Sequence, residues 1–200
     1  MEKSADAIHP ILKSMARRWS PRAFDGRSVE VDKLRRLFEA ARWAASSFNE
    51  QPWRFILANK QQPDEYDKVL SCLVETNQSW ARSAPVLVLT FSKKTFSKDG
   101  KPNRVALHDL GLAMGNLSIQ ATEMGLSLHQ MAGINRDRVR QEYNVPEDFE
   151  PQTAIAIGYG GDPKNLPEGW MRNAEESPRQ RMDFAAFVFA GKFGQPSLKV

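Results

Sequence analysis

Residues 104–124 constrain the fold of this chain more than any other segment, because they predict a long helix that is apolar on most of its sides. The apolar positions are Val105, Leu107, Leu110, Leu112, Ala113, Met114, Leu117, Ile119 and Ala121. A helix that is apolar nearly all round is buried, either in a domain core or between subunits. Gly111 and Gly115 lie four residues apart on it. A second backbone could approach them closely, and simple core packing explains them equally well.

Shorter elements surround this helix, and their periodicity predicts their type. Helices are predicted at residues 9–18, at residues 64–73, from an N-cap at Asp32 through Ala41, and from an N-cap at Asn135 to Tyr143. Strands are predicted at residues 53–58, 86–91, 127–131 and 153–158, with a Pro- and Gly-rich tail after Tyr159. Residues 92–103 are polar and predict a mobile loop that could serve as a lid. Helices and strands mix without regular alternation, which favours an α+β fold.

Composition places the protein in a reducing, aqueous compartment. The one cysteine, Cys72, cannot form an internal disulfide. The longest apolar stretches, residues 86–91 and 184–190, are far shorter than the roughly 20 residues that span a bilayer. The first residues lack the basic start and apolar run of a signal peptide. We therefore expect a cytoplasmic protein with no membrane partner.

Several kinds of chemistry find no support in the sequence. The histidines His9, His108 and His129 are scattered, and one cysteine cannot support a zinc cluster. His108 is expected to lie in the core or at an interface, and Cys72 to be a small buried hydrophobe. There is no Gly-x-Ser-x-Gly elbow or Walker loop. The net charge of +4 favours anionic partners in general, but no nucleic-acid-binding module is present.

Two arginine clusters could bind an anion. In extended chain alternate side chains share a side, so Arg18, Ser20 and Arg22 could face one anion together. Arg179 and Arg181 show the same alternation. Arginine suits phosphate because its planar group donates two parallel hydrogen bonds. A solvated basic surface remains the alternative for either cluster alone.

A third polar segment, residues 44–53, stands at a helix-to-strand junction. Its sequence is Ala-Ala-Ser-Ser-Phe-Asn-Glu-Gln-Pro-Trp. Its hydroxyl and amide groups could contact the edge of a heterocycle or a phosphoribityl chain. From composition alone, the segment is only a capped turn.

Taken in order, these segments resemble the nitroreductase family of FMN enzymes. The resemblance lies in residues 18–24 (Arg-Trp-Ser-Pro-Arg-Ala-Phe), 44–53, 77–86, 109–111 (Asp-Leu-Gly) and 179–181 (Arg-Gln-Arg). Ala45 stands where the family usually has proline. The resemblance implies one domain over residues 1–200 with a three-layer α-β-α fold and a mostly antiparallel central sheet. It also implies a homodimer with FMN at the subunit interface.

The resemblance also implies which residues bind the cofactor. They are Arg18, Trp19, Ser20, Arg22, Ser46, Ser47, Asn49, Gln51, Asn77, Met131, Ala132, Gly133, Arg179 and Arg181. The arginines would bind the phosphate, ribityl chain or pyrimidine edge, with Trp19 contributing mainly backbone. Residues 46–49 would reach the flavin of the partner subunit. A backbone N–H of residues 131–133 would approach the redox-active nitrogen, although Ala132 stands where some relatives carry glutamate.

The function implied is hydride transfer from NADH or NADPH through the flavin to a small oxidised acceptor, in a ping-pong cycle. The acceptor would be a nitroaromatic or a quinone, and no catalytic acid or base is expected because the cofactor carries the chemistry. One alternative is a family member specialised for dehalogenation or flavin fragmentation, or one that binds flavin with little turnover. The others are a non-enzymatic anion- or nucleic-acid-binding protein and a dimeric scaffold without cofactor.

Overall fold

An antiparallel sheet forms the middle layer of the computed structural model, which describes residues 3–197. Its strands are β1 (Trp53–Asn59), β2 (Val86–Lys93), β3 (Ser127–Met131) and β4 (Phe149–Gly158). They are hydrogen-bonded in the order β1-β2-β4-β3, with every neighbouring pair antiparallel. The long strands β2 and β4 therefore lie at the centre, where both of their faces are covered.

Helices cover both faces of this sheet. They are α1 (Lys13–Arg17), α2 (Val31–Arg42), α3 (Pro63–Ser71), α4 (Glu75–Ala81), α5 (Ala106–Glu123), α6 (Arg136–Tyr143) and α7 (Trp170–Glu176). Alternate residues of β2 serve opposite layers, as strand geometry requires. Val86 and Val88 pack in the cluster that includes α2 and α5, whereas Leu87 and Leu89 pack in the cluster that includes α3, α4 and α6. The predicted three-layer α-β-α fold is confirmed.

Helix α5 is buried on one side and exposed on the other. Leu110, Ala113 and Leu117 are buried beneath it in the core. The opposite side exposes Leu107 and Leu112, which are 59% and 40% accessible. The other exposed residues of that side include Gly111 and Gly115, and a Cβ added to either would have no atom within 4 Å. Core packing within this chain therefore does not explain the two glycines.

The structure corrects the starts of two predicted helices. The helix predicted from residue 9 begins only at Lys13, because Ile11 and Leu12 are exposed and have no core to cover. Asp32 is not an N-cap: α2 begins at Val31 after Glu30, and Asp32 lies in the first turn. There an acidic side chain still interacts favourably with the helix dipole. The predicted cap at Asn135 is confirmed, since its side chain accepts a hydrogen bond from the backbone N–H of Arg138.

Other predicted segments differ in type or in burial. Helices α4 and α7 were not predicted, because each spans only about two turns and shows little periodicity. Strand β2 continues to Lys93, so the start of the predicted loop at residues 92–103 belongs to the sheet. His108 is exposed and is not a core residue of this chain. No helix within residues 3–197 has the length and apolar character needed to cross a membrane.

Candidate functional site

Three arginine side chains line one cavity between the N-terminal and C-terminal segments. The cavity has a volume of about 840 Å³ and is lined by Arg18, Arg179 and Arg181 together with Asp6 and Asp183. Burial lowers the pKa of Arg18, and the positive charges of Arg179 and Arg181 lower it further. Within residues 3–197, none of the three arginines forms an ion pair with a carboxylate. The cluster therefore has the charge that an anion would neutralise.

Hydrogen bonds hold two of these arginines in place. Arg18 Nη1 donates to Ser20 Oγ at 3.2 Å. Arg179 Nη1 donates to the carbonyl oxygens of Lys3 at 2.8 Å and Ala16 at 2.7 Å, on two separate segments of the N-terminal region. The arginine near the C-terminus thus fastens the end of α1, which leads into Arg18. The structure brings the two clusters together as the sequence predicted.

Arg22 lies in a different setting. Its guanidinium carbon is 5.0 Å from the ring centre of Trp170 and 5.9 Å from that of Trp80. Its Nη1 is 3.9 Å from Glu175 Oε1, and its Nε is buried without a hydrogen-bond partner. Arg22 is also not among the charges that lower the pKa of Arg18. It therefore belongs to a second, aromatic part of the site.

His129, at the end of β3, borders that aromatic part. Its ring centre is 4.6 Å from that of Trp80, and its Nδ1 is 3.0 Å from the carbonyl oxygen of Pro21. Burial, together with the positive charges of Arg22 and Arg18, lowers the pKa of His129 to about 4. The ring is therefore neutral at neutral pH. In the tautomer that carries its proton on Nδ1, it donates to the chain just before Arg22.

A close turn at residues 131–133 follows β3. The carbonyl oxygen of Gly133 accepts hydrogen bonds from Asn77 Nδ2 at 3.0 Å and from the backbone N–H of Val74 at 3.1 Å. A Cβ at Gly133 would lie 2.6 Å from Asn77 Nδ2 and 2.7 Å from Val74 Cγ2, so only glycine fits. Asn77 shapes this turn, while Met131 is buried and Ala132 is exposed.

The predicted contacts at residues 46–51 form a separate turn, which a buried carboxylate holds. Asp109, on α5 and only 2% exposed, accepts a hydrogen bond from the backbone N–H of Ser47 at 3.0 Å. The backbone N–H of Gln51 donates to Ser46 Oγ at 3.0 Å. Gln51 Nε2 donates to Asn49 Oδ1 at 3.2 Å. Polar groups of the turn are thus fixed by hydrogen bonds within it and by α5.

The same turn carries backbone strain. The φ angle is positive at Phe48 (52°), Asn49 (55°) and Gln51 (51°). Asparagine tolerates this conformation, but for a bulky residue such as Phe48 it is a genuine outlier. The ring of Phe48 is 93% exposed and meets Phe96 edge-on at 5.9 Å. Such strain persists where the surrounding structure enforces it, and it is common at binding sites.

Glu50 links this turn to the polar loop that follows β2. Its carboxylate accepts hydrogen bonds from Ser97 N at 3.0 Å and Ser97 Oγ at 2.6 Å, and it pairs with Lys93 at 3.2 Å. These bonds lower the pKa of Glu50, the Ser97 side chain most of all. Thr95 Oγ1 donates to Asp148 at 2.8 Å. The loop predicted as a lid is therefore anchored at two points.

The predicted site residues form two groups that lie apart in one chain. Among residues 3–197, no hydrogen bond or ion pair joins residues 46–51 to the arginines, Ser20 or Asn77. Trp19 packs its ring under Lys3 Nζ at 4.9 Å. The sequence analysis missed Glu175 and Trp170, because no motif marks them and they lie in a helix that was not predicted.

A sequence model described as "Nitroreductase family" matches residues 15–159 of this chain. The matched region includes the first arginine cluster, the 46–51 turn and the turn at residues 131–133. It ends before α7 and the second arginine cluster.

Individual proteins show the same likeness over most of the chain. A solved structure described as an oxidoreductase containing FMN superimposes with a TM-score of 0.87 and 36% identity, covering 94% of this chain and 95% of that one. An uncharacterized 15.4 kDa protein of Mycolicibacterium smegmatis is 30% identical over 66% of this chain and 88% of its own length. The major NAD(P)H-flavin oxidoreductase of Aliivibrio fischeri is 25% identical over 76% of this chain and 88% of its own length.

Proposed function

Because this chain belongs to the nitroreductase family, we propose that it is an FMN-dependent oxidoreductase that uses NADH or NADPH to reduce a small oxidised acceptor. The solved FMN-containing oxidoreductase and the NAD(P)H-flavin oxidoreductase described above support the cofactor and the electron donor. The acceptor proposed is a nitroaromatic or a quinone. It follows from the family resemblance.

The observation that carries the proposal is the cluster of Arg18, Arg179 and Arg181 in one cavity without an ion-paired carboxylate. A buried phosphate with nearly two negative charges needs several cationic donors to offset its desolvation. These three guanidinium groups repel one another, and a phosphate between them would remove that repulsion. The donor set therefore fits the phosphate end of FMN, with Ser20 as a further hydrogen-bond donor.

The remaining residues fit the other end of the cofactor. When bound, FMN supplies the hydride and electron chemistry of the reaction. Arg22, with its unpartnered Nε, would contact the pyrimidine edge, and the turn shaped by Asn77 and Gly133 would present a backbone N–H to the ring. The aromatic side chains of Trp80 and Trp170 would exclude water from this end.

The proposed assembly is a homodimer. The turn at residues 46–51 does not meet the arginines within one chain, so a second copy would have to supply it. The exposed side of α5, with Leu107, Leu112, Gly111 and Gly115, could receive another backbone closely. Exposed apolar side chains of this kind mark interaction sites when they are contiguous.

A cytoplasmic location without a nucleic-acid or membrane partner completes the proposal. It rests on a single cysteine, Cys72, which is buried. Burial also raises the pKa of its thiol, so the residue is poorly reactive.

The visible absorption spectrum of the purified protein tests the cofactor directly. We expect an oxidised flavin spectrum, with FMN released on denaturation at about one per chain. NADH and NADPH oxidation is then measured with a nitroaromatic, a quinone and a halogenated phenol as acceptors. Fast turnover of the first two supports the proposed acceptors, whereas preference for the halogenated phenol would favour a dehalogenase. A colourless protein that takes up no added FMN would contradict the proposal as a whole.

A further inference from the structure

Glu175 is a buried carboxylate that the proposed reaction does not use. It lies on α7, beyond the region that matches the family, and is 1% exposed. Its Oε1 accepts a hydrogen bond from the backbone N–H of Arg22 at 2.9 Å. Its Oε2 is buried without a partner, as is Nε of Arg22. Two unpartnered polar atoms on neighbouring side chains are unusual in a protein interior.

Residues 18–24, here named the arginine strap, are held at three points. The backbone N–H of Gly161 donates to the carbonyl oxygen of Ala23 at 2.9 Å, which fixes the end of the strap. His129 holds the carbonyl oxygen just before Arg22. Glu175 holds the N–H of Arg22 and lies within 3.9 Å of its guanidinium. The carboxylate is therefore the contact that addresses both the backbone and the side chain of Arg22.

This carboxylate is costly to the folded state. Burial raises the pKa of Glu175, with the backbone N–H groups and charge of Arg22 offsetting only part of that rise. A buried ion pair is seldom a net source of stability, and a neutral side chain of similar shape often serves stability equally well. Strongly perturbed groups cluster at functional sites. The cost is understandable if the carboxylate positions a residue that binds the cofactor.

We propose that Glu175 is a positioning residue, which acts through Arg22 to set the geometry of the aromatic end of the FMN site. The proposal rests on the proposed function, because it takes Arg22 as a flavin contact. Glu175 fixes the Arg22 backbone, while Trp80 and Trp170 confine its guanidinium from two sides. The three side chains together leave Arg22 one orientation.

The test is the dissociation constant of FMN, measured by quenching of flavin fluorescence on titration into the apoprotein of each variant. Glu175→Ala is expected to weaken FMN binding at least 10-fold. Glu175→Gln is expected to stay within 3-fold of the wild type, because its amide oxygen can still accept from the Arg22 N–H. Met171→Ala, which removes another buried side chain of α7, is the matched control and is expected to stay within 3-fold. Thermal unfolding of every variant confirms that each is folded at the titration temperature.

A double-mutant cycle with Arg22→Ala tests the route of the effect. If Glu175 acts through Arg22, Glu175→Ala changes FMN affinity less than 2-fold once Arg22 is alanine. Equal weakening by Met171→Ala, a Glu175→Gln variant as weak as Glu175→Ala, or additive effects in the cycle would each overturn the proposal. Wild-type affinity in Glu175→Ala would overturn it as well. A wild-type protein that binds no FMN overturns the proposed function, and this inference with it.

Discussion

At the scale of single residues, the arginine cluster combines electrostatic cost with binding capacity. Arg18, Arg179 and Arg181 lower one another's tendency to stay protonated, because like charges in a partly buried site disfavour the charged form. A bound anion reverses this penalty. The cluster is therefore expected to gain stability from phosphate even before any flavin is present.

The first prediction concerns Arg18→Ala. Loss of a charged hydrogen bond to phosphate, worth about 1.5–3 kcal/mol, should weaken FMN binding by about 10- to 150-fold. The same variant should lose the increase in melting temperature that inorganic phosphate gives the wild-type apoprotein. Arg36→Ala removes an exposed arginine on α2 and is the control for net charge. Equal effects of the two substitutions would show that the cluster acts only through overall charge.

The second prediction concerns His129 and pH. Its pKa in the folded protein is lowered from 6.5 to about 4, chiefly by burial. As the pH falls below 6.5, the unfolded chain takes up a proton that the folded chain does not bind until about pH 4. Stability should therefore fall between pH 7 and pH 4.5, by on the order of 2–3 kcal/mol from this residue.

Urea unfolding of the wild type and of His129→Gln at pH 7 and pH 4.5 measures this effect. Glu175, whose pKa is raised by burial, works in the opposite direction, so only the difference between the two proteins is informative. The glutamine variant should lose less stability on acidification. An identical loss in both proteins would show that His129 does not carry the pH dependence.

At the scale of elements, the turn at residues 46–51 shows how neighbouring elements enforce local strain. Asp109 on α5 holds one end and Glu50 ties the other to the loop after β2. Hydrophobic packing contributes little, since the ring of Phe48 is 93% exposed. The turn keeps its conformation because polar contacts on both sides specify it.

The third prediction follows from this strain. The left-handed conformation of Phe48 costs roughly 1–2 kcal/mol, which glycine avoids. Phe48→Gly should therefore raise the free energy of unfolding by on the order of 1 kcal/mol, measured in urea. Phe193→Gly is the control, because Phe193 is 96% exposed, also contacts a second phenylalanine ring, and has no positive φ. A similar change in both variants, or a loss at Phe48, would contradict the strain argument.

At the scale of the whole molecule, the exposed side of α5 determines how the proposed dimer can form. Within the chain this side is open, and glycine in a helix costs about 1 kcal/mol relative to alanine. A larger residue there should not harm the isolated subunit. It would block a second backbone that approached the same surface.

The fourth prediction is therefore that Gly111→Leu shifts the protein from dimer to monomer and lowers its FMN content at least 10-fold, because the partner's residues 46–51 are lost. Light scattering after size-exclusion chromatography measures the mass, and the visible spectrum measures the flavin. Glu123→Leu, an exposed change at the end of the same helix, should leave both unchanged. A dimeric, flavin-loaded Gly111→Leu protein would place the interface elsewhere.

Long periodic elements and their order could be predicted from sequence, whereas short elements could not. Helix α5 and the strands β1 to β4 carry enough apolar residues for their period to be recognised. Helix α7 has two turns, and its buried residues, Met171 and Glu175, include one that apolar patterning counts as polar. Its helical state comes from packing against the rest of the chain, which no local pattern encodes.

The sequence by itself determined the fold class, the buried central helix and the two arginine clusters, because these depend on residue type, period and spacing along the chain. Only the tertiary structure decided that Arg179 fastens the chain before Arg18, and that Arg22 faces Glu175 and two indole rings. Arg22 and Glu175 are 153 residues apart in the sequence. Their contact depends on where α7 settles in the folded chain, and that position follows from the packing of the entire domain.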